Sequence, residues 1–235
     1  MILLTGGTGT LGRAVAARLP SARVLSRRPG PGRVVGDLST GAGLADALSG
    51  VDTVIHCATS LRARDVEHAR HLIAAAAGRP HVVYVSIVGV DEIPLGYYRT
   101  KLAVERLLAS SGLPWTVLRA TQFHDLVLRF FTVQRWSPAL FVPSGAGFQP
   151  IDVRDVADRL VSLASQSPAG RVADIGGPEV RPVTDLARSY LSGRRRPVVP
   201  IPLPGKVMRG FRTGANLAPA TGTITFEEFL RSGPV

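Results

Sequence analysis

Lysine is almost missing from this chain: of 28 basic residues only Lys101 and Lys206 are lysines. A lysine here departs from an arginine background and marks a place to inspect. Cysteine is scarcer still. The single Cys57 excludes an intramolecular disulfide framework and agrees with a reducing, cytoplasmic compartment. No apolar run reaches the length of a membrane span. The N-terminus lacks the basic region and long apolar stretch of a signal peptide, because Thr5 and the glycines interrupt it at once. Aromatics are few and are not interleaved with the arginines as in single-strand nucleic-acid binders. The net charge of +11 is scattered along the chain, with Arg194-Arg195-Arg196 its densest run. It reads as a solvated surface, with neither nucleic acid nor membrane as partner.

What is present is alternation. Ile2–Thr5, Arg23–Ser26, Val34–Val35, Thr53–Cys57, Val82–Ser86 and Trp115–Arg119 are short, apolar or β-branched runs. Between them Leu11–Leu19, Leu44–Leu48, Ala63–Ala77 and Lys101–Ser110 carry helical periodicity. Such a pattern predicts an α/β fold with a doubly wound parallel sheet, Rossmann-like, and a small C-terminal lobe that caps the crevice. The 235 residues suit one domain. Past about residue 120 the alternation loosens. A helix at His124–Gln134, a strand at Leu140–Val142 and an amphipathic helix at Val153–Ser165 are expected. Val172–Ile175 reads as a strand, Val183–Leu191 as a helix, and the prolines keep Pro197–Pro204 extended. Residues 134–150 and 193–222 carry glycines and prolines that defeat register.

The first strand runs straight into Thr5-Gly6-Gly7-Thr8-Gly9-Thr10-Leu11-Gly12. Gly6, Gly9 and Gly12 fit G-x-x-G-x-x-G, and Gly7, Gly9 and Gly12 fit G-x-G-x-x-G. Either register predicts a tight turn that lets backbone approach a pyrophosphate, with a helix N-terminus aimed at it. About 20 residues further on, where an NAD site places a carboxylate for the ribose 2′-hydroxyl, stand Ser26, Arg27 and Arg28. Guanidinium forks bind a 2′-phosphate, so the cofactor expected is NADP(H). Asp37, beside Leu38 at the end of the third strand, could meet the adenine edge or cap a helix.

Tyr97 and Lys101 stand four apart on a helix, and Ser86 ends the strand upstream. An ammonium beside a phenol favours phenolate, so Lys101 is expected to lower Tyr97's pKa and suit it to proton exchange with a carbonyl. Tyr98 is the alternative pocket residue. The glycine turn, the Asp52–Ala58 stretch, Ser86, Tyr97-x-x-x-Lys101 and the Asp152–Ala157 stretch together resemble the short-chain dehydrogenase/reductases. The glycine pattern and length are most similar to their atypical NmrA-like NAD(P)H-binding branch. The resemblance is strong over residues 1–120 and thinner beyond.

The resemblance implies a cofactor half over about residues 1–120 and a substrate-shaping part over 121–235. Residues Thr5 to Gly12 would line the pyrophosphate, while Cys57, Ala58 and Thr59 would pass along the cofactor. Ser86, Tyr97 and Lys101 would be catalytic, with Lys101 also holding the nicotinamide ribose. Ala120 and Thr121 would touch cofactor, and Gln122, Phe123 and His124 the substrate, with Arg99 a further candidate for the pocket wall. Asn216, the only asparagine, lies far downstream, so no fourth catalytic member is assigned.

His68 and His71 have a metal-compatible spacing on a helix but no third ligand, and are expected to face solvent with no metal. The function expected is NADPH-dependent reduction of a carbonyl, enone or quinone-like small molecule by a monomer or homodimer. A non-catalytic NADP(H) sensor and a cofactor-bound isomerase or cyclase are the alternatives.

Overall fold

A computed structural model describes residues 1–60 and 64–233. The elements begin with β1 (Ile2–Thr5), α1 (Thr10–Arg18), β2 (Arg23–Ser26), β3 (Arg33–Val35) and α2 (Leu44–Leu48). Then come β4 (Thr53–His56), α3 (Asp65–Ala75), β5 (His81–Ile87), α4 (Gly96–Ser110) and β6 (Trp115–Ala120). After these follow α5 (His124–Thr132), β7 (Leu140–Pro143), β8 (Gly147–Phe148), α6 (Val153–Ala164) and β9 (Gly170–Arg171). The chain closes with β10 (Arg181–Pro182), α7 (Val183–Leu191), β11 (Val198–Ile201), α8 (Lys206–Arg212) and α9 (Phe226–Ser232). Ala63, the expected start of the third helix, lies outside the described residues.

Seven strands form one parallel sheet in the order β3-β2-β1-β4-β5-β6-β9. Strands run outward from β1 in both directions, so the switch point lies between β1 and β4, where a ligand crevice is expected. Side chains alternate across the pleat. Leu3, Val54, Val82 and Val117 meet Leu44, Leu72, Val104 and Leu108 of α2, α3 and α4 on one face. Leu4, Ile55, Val83 and Leu118 meet Val15 of α1 and Val156 and Leu160 of α6 on the other. Burying each such aliphatic side chain contributes about 1.5–3 kcal/mol. Although α6 and β9 come after residue 120, they complete the layers of the main sheet.

Two further clusters build the C-terminal part. Val127, Phe131, Leu140, Leu186, Phe226 and Phe229 join α5, β7, α7 and α9. Val90, Ile93, Tyr98, Met208 and Phe211 join α4 to α8. Two small sheets pair β8 with β10 and β7 with β11. The strand expected at Val172–Ile175 is displaced: the ladder is Gly170–Arg171, and Ile175 meets Ala120 only as an isolated bridge. Between them Asp174 turns its carboxylate to the Arg171 guanidinium at 3.0 Å. Two helices were not anticipated, α8 and α9. The second begins at a capping box in which Thr225 and Glu228 satisfy each other's backbone N–H groups. Among the described residues no helix is long and apolar enough to cross a membrane.

Candidate active site

The glycine turn after β1 is closed by backbone. Gly6 has a φ of +71°, and a Cβ there would lie 2.6 Å from the Ala58 amide nitrogen. A Cβ on Gly12 would lie 2.0 Å from the Gly6 carbonyl oxygen, whereas one on Gly7 would meet side-chain methyls, of Val24 at 2.5 Å and of Leu4 at 3.4 Å. The Gly6–Gly9–Gly12 register thus carries the constraint. Helix α1 opens at Gly9 with no side-chain cap and no acid in its first turn. Its leading N–H groups and positive dipole end are left to an anion. This cradle fits a dinucleotide pyrophosphate.

Thr5 anchors the turn from below. Its hydroxyl accepts from the Ala58 amide at 3.3 Å and shares a 2.7 Å bond with His56 Nδ1. Burial, aided by the Lys101 charge, lowers His56 to about 3, so its imidazole is neutral, stacked on Tyr84. Cys57 is half-buried, and burial pushes its thiol up to about 12, leaving it unreactive at neutral pH. The Arg27 and Arg28 side chains stand exposed at the end of β2, where the Ser26 hydroxyl accepts the Arg28 amide at 3.2 Å.

Asp37 caps its own turn, accepting from the Ser39 amide at 2.8 Å. Leu38 is buried in the core, so its side chain is not offered to a cofactor. His68 and His71 do not face solvent as expected. They are half-buried and staple α3 to this turn, through the Ser39 hydroxyl at 3.1 Å and the Leu38 carbonyl at 2.7 Å.

Ser86 ends the buried part of β5, and its hydroxyl is buried without a hydrogen-bond partner among the described residues. Lys101 is 4% exposed; its ammonium donates to the Val85 carbonyl at 3.2 Å and lies 4.8 Å from the Tyr84 ring and 5.8 Å from the Tyr97 ring. Burial lowers it to about 8. The Tyr97 phenol meets Thr59 Oγ1 at 2.9 Å, and that hydroxyl donates to Asp65 at 2.6 Å. A threonine has one hydroxyl proton, so Tyr97 is the donor in the first bond. Here one expectation is corrected. Burial, reinforced by the Asp65 carboxylate, pushes Tyr97 up to about 12 despite the Thr59 bond. Desolvation dominates the shift, and the phenol keeps its proton.

Thr59 and buried Asp65 therefore belong with the tyrosine, a link the sequence reading missed. Tyr98 is buried in the α4–α8 cluster, its hydroxyl 3.5 Å from the Gln122 amide nitrogen. Gln122 also receives Asn216 at 3.5 Å. The lone asparagine, 94 residues downstream, is thus folded back to the site. Arg99 is exposed and reaches back to the Pro94 carbonyl.

The segment after β6 only partly matches expectation. Ala120 is buried, and Thr121 spends its hydroxyl on the Gln149 carbonyl at 2.5 Å and the Gly177 amide at 3.3 Å. Phe123 pairs with Ile151. His124 is not a substrate contact: it is 1% exposed, donates Nε2–H to the Ile224 carbonyl at 3.0 Å and stacks on Phe229. Burial lowers its pKa, as it raises that of Asp125. Of the three substrate candidates, Gln122 is the one that lines the cavity of about 380 Å³ bounded by Leu126, Phe130, Val133 and Phe148.

Comparison with known proteins follows the same geography. The sequence model of a family described as NAD(P)H-binding matches residues 6–166. The (4-alkanoyl-5-oxo-2,5-dihydrofuran-3-yl)methyl phosphate reductase of Streptomyces griseus subsp. griseus is 34% identical over 200 residues, 76% of this chain and 68% of the relative. An NAD(P)H azoreductase of Xenophilus azovorans is 30% identical, over 84% of this chain and 75% of the relative. In structure, an NADPH-dependent quinone oxidoreductase from Escherichia coli, complexed with NADPH, superposes with a TM-score of 0.84 at 21% identity over 99% of both chains. That last likeness speaks to fold.

Proposed function

The chain belongs to the NAD(P)H-binding family, and we propose that it is an NADPH-dependent reductase of a small carbonyl, enone or quinone-like molecule. The observation that carries this reading is the meeting of three groups at the carboxyl end of β5. Tyr97 and Lys101 share one face of α4, Lys101 reaches the carbonyl of Val85, the residue before Ser86, and the buried Ser86 hydroxyl has no partner among the described residues. Both relatives are reductases by name, and the furanone of the first carries a ring carbonyl and an alkanoyl group.

Reduction adds hydride to carbon and a proton to oxygen. When bound, the dinucleotide supplies the hydride from nicotinamide C4. Gly6, Gly9 and Gly12 would hold the pyrophosphate, and Arg27 and Arg28 the 2′-phosphate. Lys101 spends one donor on Val85 and would offer another to the nicotinamide ribose. Ser86 donates to the substrate oxygen and orients it. Tyr97 gives up the proton it now shares with Thr59, the O–H bond breaking as the new O–H bond forms on the substrate. Solvent returns that proton. A phenol held protonated by burial is in the correct state for a donor.

The cofactor assignment is tested by titrating NADPH and NADH into the native protein and into Arg27→Glu/Arg28→Glu. NADPH should bind native protein at least about tenfold tighter than NADH, and the double variant should lose that preference. Equal native affinities would overturn it.

A further inference from the structure

Helix α5 carries apolar side chains on two faces. Val127 and Phe131 point into the C-terminal core. Leu126, Phe130 and Val133, at spacings of four and three, form a second stripe that is 57%, 42% and 64% exposed. A surface helix of a folded protein ordinarily has one apolar stripe, facing the core. Here the second stripe lines the cavity of about 380 Å³, a volume within the range of small-molecule sites.

The cavity has a direction. At one end is Gln122, 5% exposed, whose amide lies 3.5 Å from the Tyr98 phenol, next in sequence to Tyr97. Phe148 packs at once on the C-terminal core and on the cluster holding both tyrosines. At the other end is the exposed stripe. Among the lining side chains only Arg129 is ionic, and its guanidinium makes no hydrogen bond or ion pair among the described residues. An apolar trough with a buried amide at one end and an unpaired cation in its wall matches an amphiphilic anion.

We propose that this cavity holds the apolar chain or ring of the substrate, and that Arg129 takes an anionic group, such as a phosphate, on the same molecule. The assignment rests on the reductase reading above and specifies its substrate class: a carbonyl compound with an apolar body and a negative charge. The carbonyl end reaches past Gln122 toward the tyrosines. The hydrophobic effect supplies affinity and the guanidinium supplies selection.

Calorimetric titration of the full chain with octyl phosphate, octanol and inorganic phosphate tests it without turnover. Octyl phosphate should bind at least about tenfold tighter than either half-molecule, since one charge-assisted bond carries about that factor. Arg129→Glu should erase the advantage over octanol, and Phe130→Asp should remove octyl phosphate binding. Both side chains are exposed, and unchanged melting would verify that the variants fold. Binding of octyl phosphate that survives Phe130→Asp overturns the proposal. So does a Phe130→Asp variant whose one change is a halved mass in sedimentation, which would give this face to a second copy. Quinone turnover without octyl phosphate binding rejects the cavity assignment alone. Octyl phosphate binding without NADPH oxidation against a panel of carbonyls, enones and quinones rejects the reductase reading instead.

Discussion

The glycine turn after β1 and the cavity beside α5 are built from different material. In the turn, backbone meets backbone: a single added methyl on Gly12 would sit 2.0 Å from the Gly6 carbonyl. In the cavity, side chains meet space, and Leu126, Phe130 and Val133 stand open to solvent. Backbone cannot yield without moving a strand and a helix together, while a side chain can change rotamer or identity. The first region is suited to one invariant ligand part, a pyrophosphate. The second can be re-tailored to different substrates without disturbing the first.

The widest predicted gap between the two regions comes from Gly12→Ala. Its Cβ has nowhere to go, so NADPH affinity should fall by on the order of a hundredfold or more and thermal stability by about 1–3 kcal/mol. Fluorescence titration and melting would read both; retained affinity would break the comparison.

At Lys101 chemistry and stability oppose each other. Lys101→Met should cut turnover by about a hundredfold or more. The same change should raise stability at pH 7 by on the order of 1–3 kcal/mol, because a buried charge is removed. The sign follows from its pKa, lowered from 10.5 to about 8. Below about 8 the folded protein bears the full cost of the buried ammonium. As pH rises from there toward 10.5, the folded state releases the proton first and that cost disappears. Urea unfolding at pH 7 and pH 9.5 should show the gap between variant and wild type narrowing. A constant gap would place the effect in packing instead.

The same contrast explains what could be read from sequence. The turn, Arg27-Arg28 and Tyr97-x-x-x-Lys101 are local patterns, fixed by spacing along one strand, turn or helix. The parallel sheet and its flanking helices were legible for that reason too. Long-range closure was not. Asn216 reaches Gln122 from 94 residues away, and His124 is sealed by the Ile224 carbonyl from 100. Nothing near His124 in the sequence distinguishes a loop histidine facing substrate from one under α9. Thr225-x-x-Glu228 was a readable signal for that helix, and a helix there would have covered His124. The upward shift of Tyr97 was invisible for a further reason. Desolvation depends on everything packed around the ring, while the Lys101 spacing reports only one neighbour.

The central claim is that Tyr97 delivers the proton in an NADPH-driven reduction. Steady-state NADPH oxidation with a quinone acceptor, measured for wild type and Tyr97→Phe beside an NADPH titration of each, tests it most directly. The account predicts turnover reduced by about a hundredfold or more, with NADPH affinity within about twofold of wild type. Turnover within about threefold of wild type would contradict it.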